Sequence, residues 1–425
     1  VRSAEKGDYP ALRKELKAEL DKGAFGAGDA RDLARVVAKV DLAAKEKADV
    51  LTRVRALAAC AGAVGEPLET LAERDDEIGA VATLALVEAK KLGRGSARSR
   101  AEAKLASVRD FKDAAMWRAV LSRALSTESD GDERRKRLLD GDDDVRVAAL
   151  RAAGDALDAR DVDLLLEAAR VDPLPLARTL AVRSLGDLGG EKVTLALKDL
   201  WPRADEPLRE AIVEAWSAPA CFRAGGQREL ELALAEGKGA PGVAAALALA
   251  RLGSDDQKGA ALGLLARTID AAPSNQRVYA ISASPLAPVL RAPLWSASRD
   301  DDELVAIAAV NRLLSELEQG HDDVLVPDPS EPVAAPKPAG DGAPRDGAQK
   351  GAGPTKDEPK KGPPTRKELV DTLLTLAKGD GRHRLQAKLA LARAQEREVL
   401  KLLVADVDAT DERARETAAR IYALM

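Results

Sequence analysis

The chain predicts an all-α fold, an array of antiparallel helix pairs, and three observations carry that reading. Apolar residues are 45% of the 425, yet aromatics are only 2%. Leu, Ala and Val must therefore fill the interior, which suits closely packed helices better than an aromatic-rich sheet. The apolar period is helical wherever it can be read, and no run of alternating β-branched residues appears. The helices also repeat one another at intervals of 31 or 32 residues.

Taken in order, the first clear helix opens at Asp29 behind Gly26-Ala27-Gly28. It carries Leu33, Val36, Val37, Val40 and Ala44 on one face. A second, with Leu51, Val54, Leu57 and Ala58, ends near Gly62 and Gly65. Others follow, separated by Gly, Pro or Asp. The clearest unit runs from Asp142-Asp143-Asp144-Val145-Arg146 through Ala149 to Ala153-Gly154. It returns as Ala177-Arg178, Ala181 and Leu185-Gly186, then as Leu208-Arg209, Ile212 and Trp216-Ser217. Looser copies end in Leu252-Gly253 and begin at Asp302-Glu303-Leu304-Val305. Second helices, such as 162–169 and 193–200, lie between the copies.

This pattern resembles the HEAT repeat, including its short PBS-lyase-like variety, most clearly over 142–190, less so to 319 and weakly elsewhere. The resemblance implies a right-handed α-solenoid of HEAT/ARM-like hairpins. In each, an Asp opens one helix, a Val-Arg-like pair occupies its first turn, and Leu-Gly ends it. Local physics agrees: Asp caps free N–H groups and complements the positive helix end. Gly154 and Gly186 are expected to supply left-handed stops. The third copy departs, with Trp216-Ser217 in place of Leu-Gly.

Composition shifts abruptly at His321. Residues 321–364 hold 10 of the 22 prolines and 6 glycines, with no aromatic. Such a stretch cannot bury enough apolar surface to offset its ordering entropy. It reads as a flexible linker. The expected organisation is therefore a solenoid over 1–320, a Pro/Ala/Gly-rich linker over 321–364 and a C-terminal helical segment over 365–425. That segment should hold four helices, near 366–378, 383–393, 395–406 and 411–424, and act as an end-cap or a small bundle. Limited proteolysis is expected to cut within 321–364 first; a body nicked before the linker would overturn this.

Several function classes fall away. With 66 basic and 71 acidic side chains the net charge is −5, against a general phosphate binder. Two histidines and two cysteines cannot build a His-rich metal site or a Cys-based zinc cluster. Stacked helices would hold Cys60 and Cys221 too far apart to bond. A calcium loop starting at Asp140 would need Gly and Glu at its sixth and twelfth positions, which hold Val145 and Arg151. The Asp clusters at 142–144 and 300–302 instead precede helices, as caps. No HExxH, GxSxG or GxxxxGK[ST] string occurs. No catalytic, cofactor-binding or metal-binding residue is assigned, and no cofactor is expected.

Two basic runs, Lys90 to Lys104 and Arg134-Arg135-Lys136-Arg137, read as solvated helix faces diluted by nearby acids, so nucleic acid is disfavoured as a partner. The functional lead is where the rhythm breaks. Residues 271–300 bring in Pro273, Pro285, Pro288 and Pro293, and 217–226 form a second interruption. Trp201, Trp216, Phe222, Tyr279 and Trp295 crowd these regions, and exposed aromatics in a groove would anchor a partner. The expectation is a non-catalytic scaffold or adaptor that binds a protein or peptide along its concave face. The alternative is an enzyme-associated role, as a bilin-lyase-like chaperone or a HEAT-like nucleic-acid processing protein. The start at Val1 suggests an upstream segment removed, and an exported protein is favoured over a cytoplasmic one.

Overall fold

The computed structural model describes residues 9–22, 33, 65–237, 239–326, 363–406 and 412–425. The helices expected over 29–62, Cys60 and most of the expected linker lie outside these residues. The described residues contain helices, turns and no strand. In chain order the helices are α1 (Tyr9–Asp21), α2 (Gly65–Ala72), α3 (Glu77–Glu88), α4 (Arg94–Ser107), α5 (Phe111–Ala124), α6 (Gly131–Leu138) and α7 (Asp143–Ala156). Then come α8 (Val162–Val171), α9 (Pro175–Leu188), α10 (Glu191–Leu200), α11 (Glu206–Ser217), α12 (Gln227–Glu236), α13 (Gly239–Leu252) and α14 (Asp255–Ala271). The last are α15 (Ser274–Ala283), α16 (Pro288–Ala297), α17 (Glu303–Glu318), α18 (Arg366–Lys378), α19 (Arg384–Arg393), α20 (Glu398–Leu402) and α21 (Glu412–Leu424).

From α2 onward they alternate between two rows. The odd-numbered helices touch each other in unbroken succession from α3 to α21. The even-numbered ones pack mainly on odd-numbered neighbours and touch one another sparsely, α14 and α16 excepted. A row whose members sit closer lies inside the bend of a stack, so the odd row lines the concave side. Such an array gains its core only by stacking. Leu68, Leu150, Leu185, Ile212, Leu249 and Leu313 run through that core as fully buried links.

Helix starts follow the sequence. Asp142 accepts hydrogen bonds from the Asp144 and Val145 backbone N–H groups, and Asp302 from those of Leu304 and Val305. Both clusters are caps. The arginine of the Val-Arg step is a clamp. At the fourth helical position, Arg146, Arg178, Arg209 and Arg277 each donate back to a carbonyl before their own helix, of Asp140, Asp172, Trp201 and Ile269 respectively. Three of them also reach an aspartate ahead of the next odd helix: Arg146 to Asp172 at 3.0 Å, Arg178 to Asp205 at 3.4 Å and Arg277 to Asp300 at 2.5 Å.

The helix ends differ from expectation. Gly154 and Gly186 lie inside α7 and α9, not at left-handed stops. A Cβ on Gly186 would fall 2.7 Å from Ala215 Cα, so this glycine lets α9 and α11 approach. Left-handed backbone comes three residues later in each copy, at Leu157 (φ 51°) and Gly189 (φ 67°). The expected irregularity at 271–300 resolves into two short helices. Pro273 precedes α15, Pro288 starts α16 and Pro293 sits within it. The other interruption is a kinked turn over 219–226, with buried Cys221 and Gly225 at φ 100°.

The basic run at 134–137 corrects the solvated reading. Arg134 is fully buried, donating to Asp161 at 2.7 Å, to Asp158 at 3.2 Å and to the Thr127 carbonyl at 2.7 Å. Arg135 bonds the same two aspartates, and Arg137 pairs with Glu133. The earlier run is paired too: Arg94 with Asp155, Arg98 with Asp130, Arg100 with Glu73 and Lys104 with Asp75. The Arg160 side chain and backbone N–H donate to Asp158, and Arg134 adds positive charge, so its carboxyl titrates well below the ordinary 3.8 despite burial. A depressed carboxylate stabilises fully above the unfolded value and loses that contribution as pH falls toward the folded one. Below about pH 4, α6 to α8 should therefore lose hydrogen-exchange protection before the rest of the array. Uniform loss from α3 to α17 would contradict this.

Residues 321–326, assigned to the linker, pack on the array instead. Val324 is buried, and its carbonyl accepts the Trp295 indole N–H at 3.0 Å. The first proteolytic cut is accordingly expected after residue 326. Helices α18 and α19 pack against α17, and α1 packs against α20.

Candidate partner-binding face

The concave row presents a column of charged side chains on successive helices. Arg123 of α5 bridges Glu88 of α3 at 2.7 Å and Asp155 of α7 at 2.5 Å. Arg183 of α9 pairs with Glu214 of α11 at 2.7 Å. Arg151 and Asp155 on α7 recur thirty-two residues later as Arg183 and Asp187 on α9. The spacing of four puts each pair on one helix face.

Three groups in this column are perturbed. Burial and the nearby Asp155 charge push the Asp187 carboxyl up. Burial, then Glu206 and Glu214, push up Glu210. Burial pushes up the Tyr279 phenol, with Glu210 and Glu214 adding to the effect. Tyr279 of α15 thus shares an electrostatic environment with α11 and with the Arg183 and Arg251 guanidiniums. The arrangement offers paired charges, a half-buried Glu210 and an exposed Asp187 along the odd row. Among the described residues no group of three His, Cys, Asp or Glu side chains could hold a metal ion.

The five aromatics are not gathered into one site. Trp201 and Trp216 meet with ring centroids 5.2 Å apart, and Arg209 stacks over Trp201 at 5.3 Å. Trp216 is only 2% exposed and Trp295 7%, so both serve the core. Phe222 lies half-buried in the kinked turn, packed against the core. Tyr279 alone joins the concave column. The charged column was missed because its members look like ordinary surface residues singly; aligning them by repeat register reveals them.

A family model for HEAT repeats matches residues 131–217, from the first residue of α6 to the last of α11. Residues 131–217 are HEAT repeats. The array of which they form part is an all-α HEAT-type solenoid. A crystal structure titled an engineered protein is 16% identical over 96% of this chain and 97% of its own. Its TM-score of 0.27 is too low to bear on fold or function. Comparison with curated proteins gave no match. No helix among the described residues is long and apolar enough to cross a membrane.

Proposed function

We propose that the protein is a non-catalytic HEAT-repeat scaffold or adaptor that holds a protein or peptide partner along its concave row. The observation that carries this reading is the column of charges on successive odd helices, with Arg123 paired to Asp155 and Arg183 to Glu214, beside the half-buried Tyr279. Such a face recognises a long complementary surface through many modest contacts. The Arg183–Glu214 pair is exposed on both sides, and such pairs contribute little to stability, so its exchange for partner charges costs little.

The test is affinity purification of the full chain from cells of its source, with mass spectrometry, beside the charge reversal Arg183→Glu/Arg251→Glu. A stoichiometric protein that is retained by the wild type and lost by the variant is the expected result. A co-purifying small molecule or nucleic acid without a protein would sink the proposal.

A further inference from the structure

Where α1 meets the C-terminal segment, the joint holds a cavity. Helix α1 packs against α20. Its apolar stripe is Leu12, Leu16 and Leu20, spaced by four on one face. Leu12 and Leu16 are closed off, 3% and 4% exposed, whereas Leu20 stays half-buried. There the stripe opens onto a cavity of about 330 Å³. Leu20 is joined in its lining by Val404 and Ala405, from the turn that follows α20.

Charge round this cavity does not balance. Arg13 and Lys17 of α1 and Lys401 of α20 line it, against one acid, Asp21. Like charges four apart repel along a helix, so Arg13 and Lys17 already oppose each other, and packing brings a third cation to them. Lys17 forms no hydrogen bond or ion pair among the described residues. Lys401 has Glu398 at 3.0 Å, but both side chains are more than half exposed, and such a pair yields at little cost.

We infer that this cavity binds a small organic anion with an apolar tail, of the class of a medium-chain fatty-acid carboxylate. The carboxylate sits among Lys17, Arg13 and Lys401, and the tail lies on Leu20 and Val404. Small-molecule sites run from about 300 to 1,000 Å³ and set a few polar groups in a mostly apolar wall. A volume of 330 Å³ therefore suits a short ligand and excludes a folded segment of a partner. A bare inorganic anion leaves the apolar wall uncovered, and an alkylammonium adds a fourth cation to three. None of the lining residues belongs to the concave row from α3 to α17, so the site stands apart from the partner face.

The test titrates the full chain with sodium octanoate in a calorimeter, beside octanol and octyltrimethylammonium. Saturable binding of octanoate is expected, with slower hydrogen exchange in α1 when it is bound. Lys17→Gln/Lys401→Gln should weaken binding by about tenfold or more, and Lys17→Arg/Lys401→Arg should restore it. Lys17 and Lys401 are exposed, so circular dichroism and the ligand-free exchange of α1 should match the wild type in both variants. Absent binding, octanol bound as tightly as octanoate, or equal affinity in the glutamine variant would each overturn the inference. So would sedimentation with phosphatidylserine vesicles by a protein that ignores free octanoate. The concave-face variant Arg183→Glu/Arg251→Glu should bind octanoate normally, which separates this site from the partner face.

Discussion

Replacing Arg134 with Ala should cost about 3–5 kcal/mol, the largest effect of any single charge in the array. The guanidinium is fully buried, and its loss takes from the fully buried Asp161 its 2.7 Å partner, leaving it Arg135 at 2.9 Å. Asp158 would keep Arg135 and Arg160. The penalty therefore comes from a buried Asp161 left under-compensated, sharing Arg135 with Asp158, more than from the pair's own attraction. It follows that Arg134→Met combined with Asp161→Leu should recover much of the loss, because an apolar replacement of a buried pair is often neutral. Denaturant unfolding with hydrogen exchange at α6–α8 checks both. A double variant as unstable as the single one would refute the argument.

The second large effect is expected at Gly189→Ala, about 2–5 kcal/mol from two sources. Gly189 has φ 67° and ψ −163°, a region that other residues rarely enter. Its new Cβ would also lie 2.2 Å from the Ala220 Cβ in the kinked turn. Gly190→Ala separates the two, since φ is 94° there but nothing lies within 4 Å. It should show the backbone cost alone. Displacing the turn should also uncover Cys221, whose thiol is held up by burial. In a Cys60→Ser background, a thiol reagent should label Gly189→Ala faster than Gly190→Ala. Equal rates would mean that the turn does not move.

Much of this fold was legible because helix signals are local. Asp142 and Asp302 cap where their positions predict, and α18 spans 366–378 as its periodicity indicates. The clamp arginines were visible as a repeated residue, but their aspartate partners lie 23 to 27 residues ahead in the chain. Only stacking joins them. Gly186 misled because a glycine near a helix end can serve as a stop or as a gap for a neighbour, and nothing in its own repeat shows Ala215 arriving. The aromatics misled differently. Rarity drew attention to Trp216 and Trp295, yet large apolar side chains are drawn first into the gaps that irregular helices leave. Apart from Tyr279 the concave column carries no rare residue, so only register could have exposed its charges.

The arginine clamps stitch the array along one edge. Such a stack behaves like a fan riveted along one side: its open margin can spread while the stitched margin keeps its length. The rivet is missing at α13, where Gly242 holds the fourth position that arginine fills in α7, α9, α11 and α15. Compliance should therefore concentrate between α11 and α15, making two stiff leaves joined by a softer fold line. A cargo gripped on both sides of that line would feel the hinge as a spring.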